Sequence, residues 1–145
     1  MNEDFVTYEQ AKLLKELGFD WKCNHFYCQP KGKELRLIEY IPMDFMDSQY
    51  HNFNNPSTWS DNNDNTPSAP TLAQVQKWLR ETKQIEINST YDPITKNGWF
   101  YYRNDLRVDE MWGGLDHFGD GEYFSTYEEA LSEGISGILK TLNKQ

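Results

Sequence analysis

The chain has 145 residues, a formal net charge of −9 and an aromatic content of 15%. This length allows one domain with a sizeable core, and the excess of carboxylates disfavours direct binding to nucleic acid, whose phosphates attract Lys and Arg. No apolar run approaches the ~20 residues of a membrane span, and the polar start "MNEDFVTYEQ" does not have the pattern of a secretory signal. We therefore expect a single cytoplasmic domain over residues 1–145 that does not bind a membrane.

Three segments carry the same helix-start pattern. In each, a threonine is followed three residues later by Gln or Glu, which is the spacing of a capping box. The pairs are Thr7 with Gln10, Thr71 with Gln74, and Thr126 with Glu129. Apolar residues at helical spacing follow each pair, so the sequence predicts three amphipathic helices.

The segments between these helices have the pattern of β-hairpins. "KCNHFYC" and "ELRLIEYI" flank a turn at Pro30 and Gly32, and "QIEINSTY" and "GWFYYRN" flank a connection that closes at Asn97-Gly98. "LRVDEMW" is expected to add a strand, followed by an acidic loop. The predicted fold is α+β, an antiparallel sheet of about four to five strands with helices packed mainly on one face, in the order α-β-β-loop-α-β-β(-β)-α.

Two features concern packing on this sheet. The run Trp99-Phe100-Tyr101-Tyr102 places rings on both faces of its strand, because successive side chains point in opposite directions. Helices can cover one face, and the other must be covered by another segment or remain available to a partner. In the last predicted helix, Gly134 and Gly137 are expected to admit a bulky ring or another backbone.

A long polar loop is predicted at about residues 42–69. It far exceeds the usual length of a connection, and loops of this length are generally functional or disordered. Its aromatic residues, Tyr50, Phe53 and Trp59, favour a first half anchored to the body of the protein or to a partner. Ser60 to Ala69 are expected to be mobile.

Few residues are suited to catalysis. Cys23, His25 and Cys28, with His51 as a fourth ligand, resemble the start of a metal site, but on a strand Cys28 faces away from Cys23 and His25. Two buried cysteines in a hairpin are the simpler interpretation. Since motifs for phosphate binding and hydrolysis are also missing, we expect neither an enzyme nor a cofactor.

The carboxylates are concentrated near the C-terminus. Residues 104–145 contain nine of them, against three basic residues. A solvated face is the ordinary interpretation, and a surface that meets a basic partner is the alternative. The candidate acidic surface residues are Asp109, Glu110, Asp116, Asp120 and Glu122.

Four segments carry a resemblance. "VTYEQAKLLKELGFD", "APTLAQVQKWLRE", "WFYYRN" and "TYEEALSEGISGILKTL" resemble a group of small uncharacterised open reading frames in phages and prophages of gut anaerobic bacteria. The resemblance covers most of the chain outside residues 42–69. It implies a phage-type accessory protein and assigns no functional residues.

Three functions follow as hypotheses. The first is a non-enzymatic protein–protein interaction module that presents aromatic and acidic surface to a protein partner or to a second copy in a homodimer. Its candidate contact residues are Tyr50, Phe53, Trp59 and Trp112. The second is an acidic mimic of nucleic acid that blocks a host DNA-binding protein. The third is a small metal-dependent or cysteine-based enzyme built on Cys23, His25 and Cys28.

Overall fold

A computed structural model describes residues 4–30, 32–42, 48–54, 66–106, 115–118 and 122–144, with the backbone alone described at 115–118. Three α-helices and five strands lie within these ranges, so the α+β class is confirmed. Their order is α1 (Tyr8–Glu16), β1 (His25–Cys28), β2 (Arg36–Glu39), α2 (Leu72–Trp78), β3 (Ile85–Tyr91), β4 (Trp99–Asp105), β5 (Leu115–Phe118) and α3 (Tyr127–Asn143). A π-helical turn, Leu79–Lys83, follows α2 directly.

The chain divides into two compact units. One is formed by Phe5–Thr71, and the other by Leu72–Gln145 with the first four residues. We call them the N-terminal unit and the C-terminal unit. Among the described residues, the longest helix has 17 residues, and none combines the length and the apolar character of a membrane span.

The predicted helix starts are found where the threonines stand. At α1 the capping box is complete, because the Thr7 hydroxyl accepts from the Gln10 amide at 3.1 Å and the Gln10 side chain accepts from the Thr7 amide at 2.8 Å. At α3 the Thr126 hydroxyl accepts from the Glu129 amide at 3.1 Å, while Glu129 accepts from the Ser125 amide instead. α2 begins directly after Thr71.

The strands form two sheets rather than the expected single sheet of four to five strands. β1 and β2 pair antiparallel in the N-terminal unit, and β3, β4 and β5 form an antiparallel sheet in that order in the C-terminal unit. The reason is local to β1, whose second edge is already occupied. Its Tyr27 amide donates to the Pro67 carbonyl at 3.0 Å, and the Ala69 amide donates to the His25 carbonyl at 2.9 Å.

The third strand of the larger sheet also differs from the prediction. It is Leu115–Phe118, a stretch that the sequence analysis assigned to the acidic loop. The residues expected to form it, 106–112, lie outside the described part of the chain except for Leu106, which is in a turn. β5 pairs with β4 across an irregularity between Arg103 and Asn104.

The core of the C-terminal unit lies between α3 and the sheet. Alternate residues of β3 (Ile85, Ile87 and Ser89) are buried, and α3 packs on β3 and β4. Gly134 makes this packing close, because a Cβ there would stand 2.8 Å from the Ile87 side chain and 2.9 Å from the Tyr101 ring. The expectation of a bulky ring against the helix is therefore confirmed at Gly134. At Gly137 it is wrong for the described part of the chain, where an added Cβ would meet no atom outside its own helix within 4 Å.

The four rings of β4 are all half-buried. Trp99 lies edge-on to Tyr127 of α3, with ring centroids 5.7 Å apart. Phe100, on the opposite face of the strand, lies edge-on to Tyr123 at 6.3 Å. The face of β4 that carries Phe100 is thus partly covered by the segment that precedes α3.

Candidate functional site

The connection between β3 and β4 is an ordered turn built around one carboxylate. Asp92 Oδ1 accepts from the backbone amides of Ile94 and Thr95 at 3.0 and 3.2 Å. Asp92 Oδ2 accepts from the Thr95 hydroxyl at 2.7 Å and from the Tyr123 hydroxyl at 2.8 Å. Four donors therefore converge on one side chain, which holds the turn in a single conformation.

These donors also set the charge of the turn. The hydroxyl of Thr95, then that of Tyr123 and the Thr95 amide, lower the pKa of Asp92 from 3.8 to about 2. The group is consequently ionised at neutral pH. A carboxylate with so low a pKa is a poor proton acceptor, so the arrangement is suited to holding a loop and not to general base catalysis.

Gly98 allows the segment before α3 to close on the turn. Its φ is +135°, and a Cβ at this position would stand 2.7 Å from the Phe124 carbonyl oxygen. Next to it, Trp99 and Phe124 exchange two backbone hydrogen bonds of 3.0 and 2.8 Å. This pairing brings Tyr123 to Asp92 and completes the turn.

The turn presents apolar side chains to solvent. Ile94 is 89% exposed, Tyr91 41% and Tyr123 38%. Tyr91 stands opposite Trp99 on one face of the hairpin, with ring centroids 5.6 Å apart. Tyr123 packs against Phe100 on the other face. We name these three residues the hairpin tip, a wedge with Ile94 at its end and one tyrosine on each side.

The hairpin tip is suited to binding another protein. At 89% exposure Ile94 has little of its apolar surface buried by folding, whereas burial in a partner would remove that surface from water. Because the turn is already ordered by Asp92, little conformational entropy is lost when it binds. A wedge fits a groove better than a flat surface, so the geometry favours a concave partner.

Two of the four residues predicted to contact a partner lie in the described part of the chain, and they differ in exposure. Tyr50 is 47% exposed, whereas Phe53 is 3% exposed and belongs to the core of the N-terminal unit. Its ring centroid lies 4.8 Å from that of Phe26 and 5.8 Å from that of Tyr40. Trp59 and Trp112 lie outside the described residues.

Two described parts of the predicted loop, residues 48–54 and 66–69, are held against β1 and the residues before it. His51 exchanges backbone hydrogen bonds with Cys23 at 2.8 and 2.9 Å, as expected for an anchored first half. Residues 66–70 are buried, and the Ser68 hydroxyl accepts from the Phe53 amide at 2.9 Å. The expectation that the chain stays mobile up to Ala69 is therefore wrong for residues 66–69, because they pair with β1.

The predicted acidic surface falls largely outside the described side chains. Glu122 is exposed, and Asp116 lies in β5, where the backbone alone is described. Asp109, Glu110 and Asp120 lie outside the described residues. The acidic surface stays a prediction.

Cys23 lies where its thiol has little reactivity. It is 1% exposed, its Sγ donates to the His25 carbonyl at 3.4 Å, and burial raises the pKa of the thiol. Within the described ranges, no group of three or more His, Cys, Asp or Glu residues is arranged to hold a metal ion. His25 instead shares a hydrogen bond of 2.7 Å with the side chain of Asn24.

Sequence reasoning missed the hairpin tip. It recognised "DPITKNG" as a turn but gave no meaning to Ile94, an isolated apolar residue between Pro93 and Thr95. That isolation is the signal that could have found it, since turns are normally built from polar residues, Gly and Pro. Tyr123 carried no local signal, because its partner Asp92 is 31 positions away.

Comparisons with known proteins add no relatives. No family model matches the chain, and neither a curated protein nor a solved structure matches it.

Proposed function

We propose that this protein is a non-enzymatic interaction module that inserts the hairpin tip into an apolar groove of a protein partner. The observation that carries the proposal is the 89% exposure of Ile94 on a turn held by four hydrogen bonds. The resemblance to phage-type reading frames favours an accessory protein that acts by binding a component of its host.

Interface energy is usually concentrated in a few apolar or aromatic anchors surrounded by weaker contacts. The hairpin tip has this composition, with Ile94 as the anchor and Tyr91 and Tyr123 beside it. Their hydroxyl groups are engaged within the turn: that of Tyr123 donates to Asp92 at 2.8 Å and that of Tyr91 to the Lys96 carbonyl at 3.5 Å. Both rings are therefore restrained before any partner arrives.

The test is a pair of matched variants. Ile94→Asp removes the anchor, and Leu106→Asp makes the same change of charge at a residue that is 46% exposed and follows the other end of β4. Because both side chains are exposed, each variant should keep its unfolding free energy within about 0.5 kcal/mol. Binding of a captured partner should weaken at least tenfold with Ile94→Asp and less than about twofold with Leu106→Asp.

A photo-crosslinking amino acid at position 94 identifies the contact directly. We expect the crosslinker to label the partner that the wild type binds. An excess of wild-type protein without the crosslinker should reduce the amount of crosslinked product. Equal binding by the two variants, or no crosslink from position 94, would contradict the proposal. A crosslink to a second copy of the chain, together with a dimer in sizing chromatography, would show that the hairpin tip binds another copy of this protein and not a foreign partner.

A further inference from the structure

A cleft of about 180 Å³ lies between α3 and β4. Its lining residues are Tyr101, Arg103, Gly134, Gly137, Ile138 and Thr141. Gly137 and Thr141 are exposed, so the cleft is open to solvent at the helix, while Ile138 is 2% exposed and forms part of its wall. The cleft belongs wholly to the C-terminal unit, and the hairpin tip does not contribute to it.

Gly137 keeps this cleft open. Glycine is among the least favourable residues in a helix interior, and helix packing explains its presence only at Gly134, where a Cβ would collide with Ile87 and Tyr101. At Gly137 an added Cβ would meet, among the residues that the structure describes outside the helix, nothing within 4 Å. The residue therefore provides empty space at the cleft and no closer contact between helix and sheet.

The walls combine apolar surface with one cation. Tyr101 and Arg103 are two positions apart on β4, so their side chains leave the same face of the strand. Tyr101 supplies a ring against the helix, and Arg103, a half-buried residue of the lining, supplies a positive charge. Arg103 also has an interaction within the chain, but a guanidinium carries five N–H donors in a planar fork that matches a carboxylate.

We propose that the cleft binds a small molecule with one ring and one carboxylate. The carboxylate pairs with Arg103, because a guanidinium forms its strongest hydrogen bonds with such an anion. The ring lies against Tyr101 and Ile138, in the space that Gly137 leaves open. A cavity of about 150 Å³ is enough to hold benzene, so the volume of this cleft admits one ring.

The test is an NMR titration of the isotope-labelled full chain with benzoate, benzyl alcohol and benzylamine at up to millimolar concentrations. These probes share the ring and differ in charge. Benzoate should produce saturable shifts of the backbone amides of Arg103, Gly137 and Thr141. Benzyl alcohol lacks the charge-assisted pair, so it should bind at least about tenfold more weakly than benzoate. Benzylamine should cause no saturable shift.

Two variants assign the site. Arg103→Gln should weaken benzoate binding at least tenfold, and Gly137→Leu should abolish it by filling the cleft. Leucine is a far better helix former than glycine, so Gly137→Leu retains its fold and keeps the test valid if Arg103→Gln destabilises the protein. Leu106→Asp, outside the cleft, should bind benzoate as the wild type does.

Three results would overturn the proposal. They are an absence of saturable shifts with benzoate, equal affinity for benzylamine, and undiminished binding of benzoate to Gly137→Leu. None of these bears on the hairpin tip, because Ile94, Tyr91 and Tyr123 do not line the cleft.

Discussion

At the scale of single residues, Asp92 holds the turn that carries the proposed hairpin tip. Because its pKa in the folded protein is about 2, below the ordinary 3.8, its hydrogen bonds stabilise the turn fully above about pH 4. That stabilisation is lost as the pH falls through about 2. We expect the Asp92 carboxyl carbon to titrate near pH 2 by NMR, and amide exchange at Ile94 and Thr95 to accelerate in the same range.

Asp92→Asn is the control for this titration, because its amide keeps the shape of the side chain and does not ionise. The variant should show no transition near pH 2. A wild-type carboxyl that titrates at its ordinary value would mean that the Thr95 and Tyr123 hydroxyls do not donate to it in solution.

A second prediction at this scale concerns the reactivity of Cys23. Burial raises its pKa, so the thiol stays protonated at neutral pH and an alkylating reagent has little thiolate to attack. In a Cys28→Ser variant, where Cys23 is the remaining cysteine, iodoacetamide should label the native protein at least tenfold more slowly than the urea-unfolded protein. The extent of labelling is read by mass spectrometry. Rapid labelling of the native variant would restore a cysteine-based enzyme as a candidate.

At the scale of elements, the two glycines of α3 separate packing from helix propensity. Gly134→Ala places a Cβ 2.8 Å from Ile87 and 2.9 Å from the Tyr101 ring, so β4 or α3 must shift. We expect a loss of about 1–3 kcal/mol in the free energy of unfolding. Gly137→Ala adds a Cβ with no described neighbour outside the helix within 4 Å, and it should raise the free energy of unfolding by up to about 1 kcal/mol.

Urea unfolding of both variants measures these opposite changes in the free energy of unfolding. Both variants replace glycine by alanine in the same helix, so the effect of the substitution on the unfolded chain is the same in both and cancels when they are compared. Two equal gains would mean that the Tyr101 ring does not lie against Gly134 in solution.

At the scale of the whole molecule, salt distinguishes the two ways in which an acidic protein can bind a partner. Screening shortens from about 10 Å at 0.1 M salt to about 3 Å at 1 M. The proposed contact through the hairpin tip would be mainly apolar, so under that proposal the affinity for a captured partner should change less than about threefold over this range. Calorimetry at 0.1 M and 1 M salt measures this change in affinity.

A loss of affinity of more than about tenfold at 1 M salt would instead favour the acidic mimic of nucleic acid. That surface would be built on Glu122 and the neighbouring acidic residues of the chain, whose net charge is −9. Replacing Glu122 by Gln would then weaken binding, and Ile94→Asp would leave it unchanged.

The sequence by itself determined the elements whose signals lie close together along the chain. Thr7 with Gln10 and Thr126 with Glu129 mark helix starts, because a cap depends on groups three residues apart. The two hairpins followed from alternating apolar residues and from turn residues between them. Local patterns of this kind were sufficient for the α+β class.

Only the tertiary structure decided which residues are buried, exposed or left beside open space. Phe53 became core because Phe26 and Tyr40 lie against it, and residues 67–69 are held in place because they pair with the second edge of β1. The turn that carries the exposed Ile94 is held by three local hydrogen bonds to Asp92, and the fourth comes from Tyr123, 31 positions away. Each of these outcomes depends on contacts between distant segments, and such contacts exist only once the chain has folded.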